Sequence, residues 1–479
     1  MRISKLFGLN KSQYELDFVD IDPDADIPLF LDPYFISKME FPFAEEAYRT
    51  LKNYFDHLLA LLRIGSIREA EEIFSYLGEN NEVCLGLSKG HPAGKGMGPS
   101  DTKQIFKSLL QSKAFETGIM EDIEDFRIFV PNVDRDKVSD MTANIIKLHL
   151  IDYTHEQCKL WGIPLTPGVP SGFFWNKHNM CWDNVYTDML IINGEKKLLV
   201  PKRIVSFSKE YTNQKYLQHF VLNFLQNEHL RLNSSLVRRR KNKKRYVTKK
   251  DARENEERKA TIDKEWLAAF TLHHPEIFME FKANTIKKIR TIDNRELADI
   301  TVDSVIDYLE NSLRTIPAGA ENATSYHKTV VGILELLFYP HLSNPKIENE
   351  IHEGRKRIDI TFDNCAESGF FYLLSNDIPC RYIMVECKNY SRDIKNPELD
   401  QLSGRFSPRR GQVGIAACRT IEDNDQLLKR CIDTYKDSRG LIIPLCDDDL
   451  LTMLEIYREK GVDGCEELLR DKRRSICLS

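Results

Sequence analysis

The stretch YIMVECKNYS, residues 382–391, sets two charges inside an apolar strand and so restricts what the C-terminal part of the chain can fold into. Tyr382 to Val385 are large or β-branched apolar residues that follow the turn-like Asp377-Ile378-Pro379, which predicts a buried strand. Strand alternation puts Glu386 and Lys388 on one face and Val385 and Cys387 on the other. A buried charge is costly unless it is paired or bound to a metal, so this strand needs either a local ion pair or a charged site around it.

The flanking sequence reads as a regular layered unit from residue 326 onward. YHKTVVGILELLFY predicts a helix with its apolar positions on one side. PKIENEIHE and RKRIDITFD alternate like antiparallel strands hinged at Gly354. NPELDQLSGRFS opens like a helix, with Asn396 as cap, Pro397 at the first position and Glu398 in the first turn. QVGIAACR and RGLIIPL are strands, 423–437 a helix, and DDDLLTMLEIYREKG a helix on an acidic cap. The expected order is helix, three strands, helix, strand, helix, strand, helix, with NCAESGFFYLLSND looping out of the sheet.

In RKRIDITFD the residues Ile358, Ile360 and Phe362 share a face, which leaves Asp359 on the other. If this strand pairs with the one ending at Lys388, Asp359 approaches Glu386 and Lys388. Two carboxylates that close repel, and a shared proton or a hard divalent cation with oxygen ligands relieves them. A lysine beside two such acids suits phosphodiester hydrolysis, where a metal lowers the pKa of a water and the ammonium neutralises developing charge.

These residues, in this strand order, resemble the PD-(D/E)XK, or restriction-endonuclease-like, nuclease superfamily over residues 326 to about 450. The resemblance implies that Asp359 and Glu386 are the two metal-binding acids and Lys388 the catalytic lysine. Gln401 resembles the glutamine that Mrr-type restriction enzymes carry in the next helix. Glu335 sits where many members place an accessory metal-binding acid, and the carbonyl of Cys387 is a further ligand candidate. Ile358 stands where the family shorthand has proline. The implied fold is mixed α/β: a restriction-endonuclease-like core with a mixed sheet flanked by helices, joined to a mainly helical N-terminal region that carries a β-hairpin. The implied activity is that of a magnesium-dependent DNA endonuclease, with manganese as a substitute, in bacterial defence against foreign phage DNA. The alternatives are a catalytically silent nucleic-acid-binding module and a nuclease subunit active only within a defence complex. Expected partners are DNA and either a defence-system protein or a second copy of the chain.

Upstream, EEAYRTLKNYFDHLLALLRIGSIREAEEIFSYL predicts two helices broken near Gly65, YTDMLIINGEKKLLVPKRIV a hairpin turning at Asn193-Gly194, and 209–232 another helix. A basic run then interrupts the chain. Residues 236–250, LVRRRKNKKRYVTKK, hold nine Lys or Arg and no acid. Arg238, Arg239, Arg240, Lys241, Lys243, Lys244 and Arg245 are candidate phosphate contacts, and so are Arg405, Arg409 and Arg410 beyond the glutamate strand. The bland alternative for the run is a solvated connector. TIPAGAENATS supplies a linker, giving an N-terminal recognition, regulatory or partner-binding region at 1–312 with room for two subdomains, a linker at 313–325 and a nuclease domain at 326–479.

Charge over the whole chain favours no nucleic-acid partner, because 68 basic residues face 73 acidic ones for a net charge of −5, yet a local basic surface can still bind phosphate. Eleven cysteines without paired metal-site spacing, and in odd number, fit a reducing cytoplasm. The N-terminus lacks the apolar core of a signal peptide, no run approaches a membrane span, and a cytoplasmic protein without membrane contact is expected.

Three other features are weaker. Asp188 with Glu195 and Lys197 also forms an acid plus E-x-K, but beside a hairpin turn where solvated charge is the better reading. SKGHPAGKGMGPSD, residues 88–101, is a mobile basic loop on this reading, since it lacks the phosphate-loop spacing. Trp175 and Trp182 are expected in the core, and His273-His274 in a structural or solvated role.

Overall fold

Each C-terminal strand forms where the alternating or apolar runs predict it. The computed structural model describes residues 1–479 except 88–97, Lys243, Ile289, 352–355 and Ser479, and the side chains of 348–351 and 356–359 are likewise outside the described set. The Gly354 hinge, most of the 88–101 loop and Lys243 therefore lie outside the described residues.

The core sheet has the order β1-β2-β3-β4-β5: Leu342–Ile351, Lys356–Asn364, Tyr382–Lys388, Val413–Cys418 and Leu441–Cys446. β1, β2 and β3 pair antiparallel, while β3, β4 and β5 pair parallel, so the sheet is mixed. The parallel half needs crossover helices. Asn396–Ser403 and Asn424–Lys436 supply them. The segment expected to loop out instead forms a helix, Gly369–Asp377, because Phe370, Phe371 and Leu374 bury one side of it.

Eight helices are used below: α1 (Pro42–Arg63), α2 (Arg135–Ile145), α3 (Lys147–Trp161), α4 (Lys264–His273), α5 (Ala323–Phe338), α6 (Asn396–Ser403), α7 (Asn424–Lys436) and α8 (Asp447–Cys477). α1 ends before Gly65, whose φ of 80° breaks the helix as expected. The Asn193-Gly194 turn has φ of 53° and 82° and joins Tyr186–Ile192 to Glu195–Lys197, as the dipeptide demands.

α5 departs from the one-sided expectation, since Thr329 through Phe338 are all buried. The sheet covers one side and the N-terminal segment another: a Cβ added at Gly332 would lie 3.2 Å from Glu15 Oε1. Arg203 donates to the carbonyls of Pro340 and Cys365, and Asp17 accepts from the backbone N–H of Asn344. One continuous apolar core runs from Ile3 to Ile476. The two regions thus share an interior rather than hanging from a tether. The expected linker is also short and held. A helix runs on to Thr315, α5 begins at Ala323, and Asn389 donates to the carbonyls of Pro317 and Gly319 between them.

Among the described residues, no helix is long and apolar enough to cross a membrane.

Candidate functional site

The site starts from the alternation of β3. Tyr382, Met384, Glu386 and Lys388 lie on one face, and Ile383, Val385 and Cys387 on the other. β2 runs antiparallel beside β3 with Ile360 opposite Val385 and Thr361 opposite Met384. Extending this register by one residue sets backbone position 359 across from position 386. The side chain of Asp359 itself is outside the described set. On the other flank of β3, the parallel ladder aligns Glu386 with Ala416 and Lys388 with Cys418.

Glu386 is 2% exposed and carries two cations. Lys388 Nζ lies 2.6 Å from its Oε1, and the Arg405 guanidinium pairs with its Oε2. A carboxylate so deeply buried is tolerable only with such compensation. Arg405 reaches it because α6 lies over this face of the sheet: Gly414, beside Met384, leaves the space that the Leu402 methyls approach. Two residues past α6, the chain turns back and carries Arg405 inward.

That placement corrects the expectation for Arg405, which is buried against Glu386 instead of standing free for phosphate. Arg410 is half-buried and donates to the Arg405 carbonyl, whereas Arg409 is exposed. Gln401 is exposed on α6 and its side chain makes no hydrogen bond among the described residues, so it is not joined to Glu386. The Cys387 thiol is buried on the far face, and its carbonyl is bonded by His327 Nε2 at 3.2 Å, which makes His327 the donor. Nothing in the YHK context at the start of α5 marks that histidine. Only the fold brings it to β3.

Glu335 also departs from expectation. It lies two turns along α5 from His327, wholly buried, with Lys202 Nζ at 3.4 Å and Asp17 beside it. Burial pushes its carboxyl up to about 8, against the pull of Lys202. It is part of the joint between the two regions, not of the Glu386 group. Periodicity along α5 could not tell which neighbour would cover each side.

The Glu386 face continues into a cleft of about 490 Å³. Thr361, Asp363, Met384 and Arg410 line it from the sheet side, and Phe43 of α1 with His149 and Tyr153 of α3 close it from the N-terminal side. Asp363 lies two residues from Thr361 on the same face, and burial pushes its carboxyl up to about 7. The alternation that singles out Asp359 equally marks Asp363, and is the signal by which this second acid can be found.

Among the described residues, no three His, Cys, Asp or Glu side chains converge on a metal position. Glu386, the carboxylate described there, is nevertheless a hard oxygen donor of the kind that magnesium or manganese takes. The Arg405 guanidinium occupies Oε2 of Glu386 and the Lys388 ammonium lies at its Oε1, so both oxygens already face a cationic side chain.

The basic run forms a small hairpin, Arg238–Arg239 against Arg245–Tyr246. Its described cations are exposed; Arg238 pairs with Asp251 at 2.7 Å and Arg240 lies over the Tyr246 ring. The E-x-K at Glu195 and Lys197 is less solvated than expected. Glu195 is exposed, but Lys197 is buried, bonded to the Asn81 carbonyl and 2.9 Å from Glu195. Trp175 is a core residue and Trp182 packs half-buried against the core; their indole N–H groups donate to Asn53 and to the Ile73 carbonyl.

Comparison with known proteins gives two likenesses. Residues 8–213 match a family described as a domain of unknown function, DUF8370. A 176-residue part of the chain, 36% of its length, is 26% identical to the putative transposon gamma-delta 80.3 kDa protein of Escherichia coli (strain K12). The match spans 23% of that relative's length. No solved structure matches the chain.

Proposed function

We propose that the C-terminal unit is a metal-dependent nuclease of the PD-(D/E)XK type that hydrolyses DNA phosphodiesters, in bacterial defence against foreign DNA. The observation that carries this reading is the β2–β3 register, which sets position 359 across from a buried Glu386 with Lys388 next along the same face. The antiparallel-then-parallel sheet with α6 between β3 and β4 supports it.

Asp359 and Glu386 would hold magnesium or manganese, which when bound activates a water and stabilises charge on the phosphate. Lys388 would place its ammonium beside the scissile phosphate and neutralise the oxygen that gains charge. His327 fixes the Cys387 carbonyl and with it the end of β3. The test is incubation of purified protein with plasmid, linear duplex, single-stranded DNA and RNA, each with magnesium, manganese or EDTA. Metal-dependent cleavage of DNA supports the proposal, and cleavage that persists in EDTA rejects it.

The Arg405–Glu386 pair favours one rival, a silent binding module in which the guanidinium holds the place of a metal. That rival requires DNA binding with no cleavage under any metal. Glu195→Ala separates the two E-x-K motifs, since it removes an exposed carboxylate. Cleavage rates are expected to stay at the wild-type level.

The exposed hairpin offers the DNA contact. Replacing Arg239, Arg240, Lys244 and Arg245 by Gln is expected to weaken binding equally across DNA sequences. The slope of log K against log salt should fall by about 0.9 for each phosphate that is no longer neutralised. An unchanged slope, measured by fluorescence anisotropy, would reduce the hairpin to a connector.

A further inference from the structure

A second cleft, of about 920 Å³, opens in the N-terminal region away from the Glu386 sheet. It is lined by six cations, Arg127, Arg135, Lys137, Lys209, Lys215 and Lys264, against one acid, Asp134. The excess is neutralised locally only in part. Arg127 pairs with Asp32 and Lys215 with Glu210, but Arg135, Lys137, Lys209 and Lys264 form no ion pair among the described residues. Arg135 donates to the Phe207 carbonyl, Lys137 to that of Asn132, and Lys264 to those of Val130 and Val133. Asp134 is occupied in capping α2, where it accepts from the Lys137 N–H.

So many cations gathered in a concave site, within a chain of net charge −5, repel one another unless an anion enters. The volume lies in the range of small-ligand pockets, about 300–1,000 Å³. The polar lining, including Thr212, Asn213, Gln214 and the His219 imidazole, offers hydrogen bonds, and among the described residues no Phe, Tyr or Trp lines it. We propose that this cleft binds a polyphosphate-bearing ligand of nucleotide size, taken either as a nucleoside triphosphate or as inorganic polyphosphate. The site is independent of the nuclease reading.

Lys264 gives the binding a distinct signature. Burial, with Arg127 and Lys137 facing it and only Asp134 opposing them, pushes its ammonium down to about 7. Polyphosphate placed beside it restores the charge, so binding at pH 7.5 takes up protons. Deprotonation of the ligand by the same cations would release them, which makes the sign of the exchange diagnostic.

Titration calorimetry of the full chain at pH 7.5, in two buffers of different ionisation heat, tests this with tripolyphosphate, ATP and adenosine. Tripolyphosphate and ATP are expected to bind with proton uptake, and adenosine to show no heat. Equal affinity for the two polyphosphates identifies the inorganic source, and tighter ATP binding the nucleotide. In a His219→Gln background, Lys264→Met should remove the uptake and weaken binding at least tenfold. Because that residue also ties two carbonyls, a second variant joins Lys137→Gln, at a half-buried position, to Lys209→Gln, at an exposed one, and is also expected to weaken binding tenfold. Absence of binding, or unchanged affinity in both variants, overturns the proposal. So does competition between tripolyphosphate and duplex DNA, which would make the cleft part of a nucleic-acid surface.

Discussion

Glu386→Gln is expected to abolish DNA cleavage, by on the order of 10³-fold or more, while the protein stays folded and still binds DNA. The substitution keeps the shape of a side chain only 2% exposed and one of its two acceptor oxygens; it removes the charge that would hold a divalent cation and that offsets the buried Arg405, so part of the stability is lost as well. Asp359→Asn and Lys388→Ala are expected to match it. Lys388→Ala is the mildest to the fold, because Arg405 still neutralises Glu386. The measurement is plasmid nicking under excess enzyme, with circular dichroism to verify folding and anisotropy to verify binding. Wild-type rates in all three variants would remove the nuclease reading altogether. A common loss of both cleavage and binding would instead make the Glu386 group a structural ion cluster.

The C-terminal sheet is legible in the sequence because β1 and β2 alternate and β3, β4 and β5 are short apolar runs bounded by turn residues, and turn chemistry punctuates the chain at Asn193-Gly194 and near Gly65. Glu386 and Lys388 are legible as a pair for the same reason: they are two residues apart on one strand. Arg405 is not, since its role depends on how the turn after α6 folds back over β3, which no local pattern specifies. Glu335 misleads because an acid on an apolar helix looks the same whether it faces water, a metal or a buried lysine from elsewhere in the chain. GFFYLLSND passes for a loop because its apolar run is too short for periodicity to separate helix from strand. The linker fails on tertiary grounds: TIPAGAENATS is compositionally free, yet Asn389 and Arg419 bond its backbone carbonyls and hold it to the core.

Lys202→Met is expected to lower stability by about 3–5 kcal/mol at pH 9, the cost of leaving buried charge without its partner. Lys202 is fully buried, 3.4 Å from Glu335, near Asp17 and 4.0 Å from the centre of the Tyr339 ring. Asp17 is itself held by Tyr153 and by the Asn344 N–H, so the acids cannot swing out to water when the ammonium is gone. Burial already raises both carboxyls, Glu335 to about 8 from an ordinary 4.5. A carboxyl raised on folding binds its proton more tightly in the folded than in the unfolded state. Its contribution is therefore fully present below the unfolded pKa and is lost as pH rises toward the folded one. Without Lys202 the folded pKa values climb further. The deficit of the variant should then be largest at pH 9 and smallest near pH 5, where both acids can carry protons. Urea unfolding of wild type and variant at the two pH values reads this directly. Lys202→Met combined with Glu335→Leu should recover most of the loss at pH 9, since the pair is then replaced by apolar groups. A deficit independent of pH, or no recovery in the double variant, would mean that Lys202 acts through its packing on Tyr339 and not through the acids that join the two regions.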